Sequence, residues 1–477
     1  MHIPGLPGHH HAPYEGTHYM PPRQISDGYL LHSEDALLKV AEQAVARAVA
    51  LGASGASALA NESSGITITV SDGAPSSSVR DGGQSLTITV FDNGRSGQAS
   101  TEAIDEASVD RAVRHACTIA SKVEPDADSG LADARWLART GPDVAAFAPS
   151  DRSADELITL ALEIEAAALN RQVAPGIRVR VSEATASSHD LRWARATSAG
   201  FARAASASIQ SRACVAIADR DGAMVRDWWQ ASERREDSLP DSETIAREAV
   251  DRTVAKLGGR SVPTQTTPVL LDARMAASLV FDLVGGLTGA AQQQRSTFMV
   301  GALGTRRLAA HIDLLEDPFE PFGMSSFAWD SEGIAGSRRH IVRSGTIEGY
   351  FLDVRTARKL GMQPSGSADG PGNLTLTSSL TDPGDDLPAM LRKLDRGLWI
   401  TQFLGGGVNP ATGAYSKAVE GFWIENGEVV HPVQDMTVAG DLPAMFEGIV
   451  AVGADQLRQG SVRTGSILID NMRIAGR

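Results

Sequence analysis

From residue 177 onward, small or apolar side chains alternate with polar ones through IRVRVSEATASS, LRWARATSAG and ASASIQSRACVAIADRDG. A period of two belongs to strands with one buried and one wetted face; on a helix it would scatter the apolar residues around the whole surface. His189-Asp190, Gly200 and Asp221-Gly222 punctuate the run, which predicts a meander of antiparallel strands. Two earlier segments, GITITVSDG at 65 to 73 and SLTITVFDNG at 85 to 94, alternate in the same way and end in Asp-Gly or Asp-Asn-Gly turn signals. They are expected to be neighbouring half-buried strands.

The gaps between these strands carry helical spacing. Leu37, Leu38, Ala41, Val45 and Val49 follow Ser33 as a helix follows its N-cap, and Gly52 supplies the stop. Further helices are expected over roughly 105 to 122, over 153 to 170, and over ETIAREAVDRTVAKLGG, closed by Gly258. The predicted class is α+β. Residues 33–260 form an N-terminal α+β domain with an antiparallel sheet and flanking helices, and the polar SVPTQTTP stretch marks its end.

Residues 261–477 are expected to form a β-rich C-terminal domain. It opens with the strand PVLLD and the helix ARMAASLVFDLVGGL, then breaks into many short strands. Asn426-Gly427, between FWIE and EVV, marks a hairpin. Residues 1–32 hold or adjoin His2, His9, His10, His11, His18 and His32 among Pro and Gly, a composition that buries no core and predicts a disordered tail.

Composition limits the function. With 44 Lys and Arg against 58 Asp and Glu the formal charge is −14, and no basic run offsets it, which argues against nucleic acid or an anionic membrane as partner. The N-terminus lacks the basic and apolar regions of a secretory signal, and no window approaches 18 uninterrupted apolar residues. A cytoplasmic protein is expected. Its two cysteines, Cys117 and Cys214, lie in apolar stretches as buried thiols do.

Standard catalytic signatures are missing: no G-x-S-x-G elbow, no P-loop Gly-Lys pair, no G-x-G-x-x-G after a strand. A helical zinc site needs two histidines about a turn apart with a glutamate beside the first, yet no histidine here is followed by glutamate, and His115, His189, His311, His340 and His431 stand singly. Two weaker features remain. The glycine run at 404 to 407 would let a backbone approach closely, as when a peptide lies extended along a strand edge, or would simply form a tight loop. Glu316, Asp317, Glu320, Asp330 and Glu332 resemble a carboxylate cluster but sit in turn-like sequence.

The stretches STFMVGALGTRRLAAHIDLLEDP, WDSEGIAGSRRHIVRSGTIEGYFLDVRTARKLG and GGGVNPATGAYSKAVEGFWIENGEVVHPVQDMTVAGDLPAMF resemble the TldD/PmbA family, whose members form the two kinds of subunit in a metalloprotease. The resemblance covers nearly everything from residue 33 to the end. TldD-like members carry H-E-x-x-x-H on a helix after a strand, with a late cysteine completing the zinc site. Here Phe281 matches the first histidine, Asp282 the glutamate and Gly286 the second histidine, and no cysteine follows Cys214. The resemblance therefore implies a TldE/PmbA-type subunit with no metal or cofactor of its own. Zinc is expected in a TldD-type paralogue with which this chain pairs as a heterodimer, binding unfolded peptides for maturation or degradation. Gly405, Gly406, Gly407 and Asn409, expected to form a loop, and Arg295, Ser296 and Thr297 are the candidates for contacting the peptide. Two other readings stand beside this one: a peptide-binding scaffold homodimer without a protease partner, and a hydrolase built on the carboxylates at 316 to 332.

Overall fold

The computed structural model describes residues 30–476. The expected tail falls almost wholly outside the described residues. Its last three are anchored: Leu30 is buried, and the Leu31 and His32 amides donate to the Glu62 carboxylate at 2.8 and 2.9 Å.

The N-terminal half runs α1 (Glu34–Ala50), β1 (Gly55–Ser71), β2 (Ala74–Asp92), β3 (Arg95–Thr101), α2 (Glu106–Ala120), α3 (Ala154–Leu169), β4 (Arg178–Thr197), β5 (Ala202–Arg220), β6 (Ala223–Glu233) and α4 (Ser242–Ala255). The helix starts are set by capping. Ser33, Asp105, Ser153 and Asp241 each accept a backbone N–H from the first turn, and Ser153 with Glu156 closes a full capping box. Hairpin turns are equally local in origin. Asp72-Gly73, Asn93-Gly94 and Asp221-Gly222 hold both residues at positive φ, the type I′ geometry that matches strand twist.

These strands form one antiparallel sheet in the order β3-β2-β1-β4-β5-β6. Alternate residues of β1 and β2, among them Ala58, Ile88 and Val90, are buried under α1 and α2, while Ile66, Ile68 and Val70 meet α3. Cys214 is buried beneath α3 and α4, where desolvation pushes its thiol up to about 12. One expectation needs correction: His189-Asp190 does not break the meander but lies inside β4, a strand of 20 residues. The strand passes because its neighbour offers Gly65, where a Cβ would stand only 1.9 Å from the His189 ring.

The C-terminal half continues with β7 (Gln265–Leu271), α5 (Ala273–Gly286), α6 (Gly289–Gln293), β8 (Ile312–Asp317), β9 (Arg339–Arg343), β10 (Thr346–Ile347), α7 (Val354–Lys359), β11 (Asn373–Ser378) and α8 (Leu387–Leu394). Then follow β12 (Gly397–Val408), β13 (Ala414–Glu425), β14 (Glu428–Asp441), α9 (Leu442–Glu447), β15 (Ile449–Val452), β16 (Leu457–Gln459), β17 (Val462–Thr464) and β18 (Ile467–Ala475). Two mixed sheets result, β10-β9-β8-β11-β17-β16 and β14-β13-β12-β7-β18-β15. In the second, β14 also pairs with β18, so the sheet curls round on itself. The largest core, including Leu271, Leu283, Ile312, Phe446 and Ile469, fills the space between these sheets and α5. The fold is α+β throughout. Among the described residues no helix is long and apolar enough to cross a membrane.

Candidate functional site

The helix α5 begins where β7 ends. Asp272 caps it by accepting the Arg274 amide at 3.0 Å, and Ala276, Leu279, Val280 and Leu283 bury one side. That periodicity leaves Phe281 out of the core, 45% exposed. Asp282 turns instead toward β13, where the Lys417 ammonium lies 3.6 Å from its Oδ2. Lys417 crosses the sheet face over the rings of Phe403, at 4.5 Å, and Tyr415, at 4.9 Å. Burial pushes the Asp282 carboxyl above its ordinary range against the pull of Lys417, and burial together with the Asp282 charge raises the Tyr415 hydroxyl.

Gly286, the last residue of α5, is packed from outside. Its carbonyl accepts from Gln292 Nε2 at 2.8 Å and from Thr297 Oγ1 at 3.1 Å, and a Cβ there would press on Thr297 and Met299 at 3.1 Å. Zinc does not fit these residues. Phe281 and Gly286 have no side-chain atom that can ligate a metal, the Gly286 carbonyl is already taken by Gln292 and Thr297, and the one carboxylate between them faces a built-in cation. Among the described residues no group of His, Cys, Asp and Glu is placed to hold a metal ion.

The glycine run is a strand and not the loop expected. Gly405, Gly406 and Gly407 belong to β12 and pair with Ala418, Lys417 and Ser416 of β13. Gly406 needs its lack of a side chain, with φ at +95° and a would-be Cβ 2.3 Å from the Ser416 carbonyl, whereas Gly405 and Gly407 face open space. On its other side β12 pairs with β7 only over Leu398–Ile400. Register shifts at Ile400/Gln402 and Phe403/Gly405 bend it away, so among the described residues the edge from Gln402 to Val408 has no neighbouring strand. Leu404, displaced by the second shift, is 54% exposed.

Asn409 makes the hairpin turn, its Oδ1 accepting from the Ala411 and Thr412 amides at 3.0 and 3.3 Å. The Phe298 amide donates to the Pro410 carbonyl at 2.9 Å, which ties the 295–298 segment to that turn. Arg295 and Ser296 are exposed there, Arg295 in the left-handed region with φ at 52°, and Thr297 is buried against Gly286. The structure thus gathers the candidates from three separate stretches around one hairpin. It also adds Lys417, Phe403 and Tyr415, which the sequence reading passed over. The available signal was a lysine at an inward position of an alternating strand, between Tyr415 and Val419.

The carboxylates at 316 to 332 do not converge. Glu316 pairs with Arg339 at 2.7 Å, Asp317 with Arg338 at 3.3 Å, and Glu320 with Arg458 and Arg463. Asp330 accepts the Glu332, Ile334 and Ala368 amides, and Glu332 accepts that of Val354 at 2.7 Å. Burial pushes Glu332 up to about 8. A carboxyl raised on folding contributes stability that is complete below its unfolded value of 4.5 and is lost as pH rises through 8. Glu332→Gln keeps the acceptor and is expected to stabilise the protein by on the order of 2 kcal/mol at mildly alkaline pH, with little change in acid. Urea denaturation of both proteins on either side of the window checks this.

Family models for PmbA/TldA metallopeptidases match three successive stretches: domain 1 over residues 56–120, the central domain over 147–257 and the C-terminal domain over 264–476. The chain is 32% identical over 447 residues to Metalloprotease PmbA of Escherichia coli O157:H7, covering 93% of this chain and 98% of that protein. It is 31% identical to the Metalloprotease PmbA homolog of Haemophilus influenzae over 82% of this chain and 85% of that one. Among solved structures, a putative modulator of DNA gyrase from Bacteroides thetaiotaomicron superposes with a TM-score of 0.85 at 24% identity, covering 92% of this chain and 98% of that chain. TldE from Thermococcus kodakarensis superposes at 0.79 with 18% identity, over 92% of this chain and 100% of that one. These two show the shared fold; the family models and the relatives above 30% identity show that the chain belongs to the PmbA/TldD metallopeptidase family.

Proposed function

We propose that this chain is the non-catalytic, zinc-free subunit of a heteromeric TldD/TldE-type metalloprotease, pairing with a zinc-bearing TldD-type paralogue and holding unfolded peptide for cleavage. The observation that carries the reading is the Asp282–Lys417 pair at 3.6 Å, flanked by Phe281 and Gly286 at the positions where the family's catalytic branch has histidines. An ammonium ion supplies the positive charge that a carboxylate at a metal site would otherwise take from the metal, and it cannot polarise water as zinc does. Peptide capture is supported by the edge of β12 beside this pair, which has no neighbouring strand among the described residues; such an edge can bond an added strand through its backbone N–H and C=O groups irrespective of sequence. The work is assigned to the cytoplasm, with peptide precursors as substrates.

The purified chain, freed of its N-terminal histidine-rich segment, is expected to hold well under one equivalent of zinc and to cleave no peptide. Adding the paralogue is expected to give a chelator-sensitive peptidase that co-elutes with both chains on size exclusion. One equivalent of tightly held zinc, or peptidase activity of the chain alone, overturns the proposal. A stable homodimer that binds peptide and ignores the paralogue would point to the scaffold reading instead.

A further inference from the structure

A second candidate site lies at the seam between the two halves. A cleft of about 290 Å³ opens between the bare face of β1 and β4 and two loops of the C-terminal half, 325–331 and 369–371. Its size is at the lower end of the range for small-molecule sites, roughly 300 Å³ upward. Trp193 of β4 and Trp329 of the first loop meet edge to face at 6.4 Å, Phe201 holds Trp329 from behind at 5.0 Å, and Leu59 and Phe327 complete an apolar wall.

Two opposite charges stand in this cleft without satisfying each other. Arg195 is fixed by its Nη1, which donates to Ser57 Oγ at 3.1 Å, but its Nε is buried with no hydrogen-bond partner. Asp369 is fixed by accepting the Ser331 amide at 2.6 Å and acts on Arg195 only through space. The other carboxylates near the guanidinium are committed elsewhere: Asp330 to three backbone amides and Glu332 to Val354. A buried donor left unmade is costly, and an ion pair that closed on itself would remove the cost. Both groups are instead held by their own anchors, so that a guanidinium and a carboxylate line one cleft beside an aromatic wall. This pattern complements a small dipole carrying an apolar group.

We infer that the cleft binds a zwitterionic α-amino acid or dipeptide with an apolar side chain, its carboxylate on Arg195, its ammonium on Asp369 and its side chain against the aromatic wall that Trp193 and Trp329 form together. None of these residues belongs to the β12–β13 hairpin, and the inference does not depend on the function proposed above. Calorimetry on the full chain, with tryptophan fluorescence in parallel, tests it using L-phenylalanine, leucyl-phenylalanine, N-acetyl-phenylalanine and phenylalanine amide. Saturable binding is expected for one or both zwitterions, and their order tells an amino-acid site from a dipeptide site. Removal of either terminal charge weakens binding about tenfold, the loss expected of one charged hydrogen bond. Arg195→Met and Asp369→Asn each weaken it about as much, and in Asp369→Asn the acetylated and free amino acids no longer differ. Asp369 is exposed, so that variant keeps its fold whatever Arg195→Met does. No saturable binding of either zwitterion, or binding indifferent to the terminal charges or to Asp369→Asn, overturns the inference.

Discussion

Lys256→Met is expected to destabilise the protein by about 3–5 kcal/mol, the cost of leaving a buried charge without its partner. The ammonium of this residue, itself 5% exposed, lies 2.9 Å from the Asp227 carboxylate of β6 and 3.0 Å from that of Glu420 in β13, and it donates to the Gln402 side chain in β12. Asp227 is 1% exposed, and with Lys256 gone its nearest cation is Arg252 at 3.9 Å. The contact joins α4 and β6 of the N-terminal half to the root of the β12–β13 hairpin, so one substitution loosens both. Differential scanning fluorimetry and urea denaturation give the size of the loss. A double variant, Lys256→Met with Asp227→Asn, is expected to lose less than the single one, because the orphaned charge goes with its partner. Equal losses would mean that the lysine acts through packing alone.

The local parts of this architecture are legible in the residues themselves. Ser33, Ser153 and their followers announce helix starts because a cap is a contact between residues three apart, and Asp72-Gly73 or Asn426-Gly427 announce hairpins because type I′ geometry selects them. The run at 177 to 222 shows its period directly. Failures come where a distant strand decides. His189-Asp190 has the composition of a turn, and only the pairing with Gly65 makes room for it within a strand. The β3 strand carries too few β-branched residues to stand out, and is set by the Asn93-Gly94 turn that folds it back on β2.

The candidate site divides in the same way. Positions 281, 282 and 286 could be compared with a metal motif because that motif is local to one helix. The partner of Asp282 could not be read, since Lys417 lies on another element, β13, and reaches Asp282 only once the sheet has packed against α5. Likewise, three glycines in a row speak for a turn when seen alone. They form a strand because β13 supplies a full ladder opposite them, with the hairpin turn displaced to Asn409–Gly413.

That displacement yields the second large effect. Gly405 and Gly407 have nothing within 4 Å of a would-be Cβ, so Gly405→Val with Gly407→Val is expected to leave stability within about 0.5 kcal/mol of the parent. Gly406→Val puts a β-branched residue at φ +95° against the Ser416 carbonyl and is expected to cost on the order of 3 kcal/mol. If extended peptide lies against the bare edge from Gln402 to Val408, the double variant places two branched side chains beside the path of the incoming backbone, and peptide affinity falls at least about tenfold while the fold persists. Fluorescence anisotropy with a labelled unstructured peptide measures this, and the same peptide N-methylated at alternate residues reports whether main-chain hydrogen bonds carry the binding. A double variant that binds as the parent does would separate the glycines from peptide recognition and leave only Gly406 a reason to be glycine, the close approach to β13.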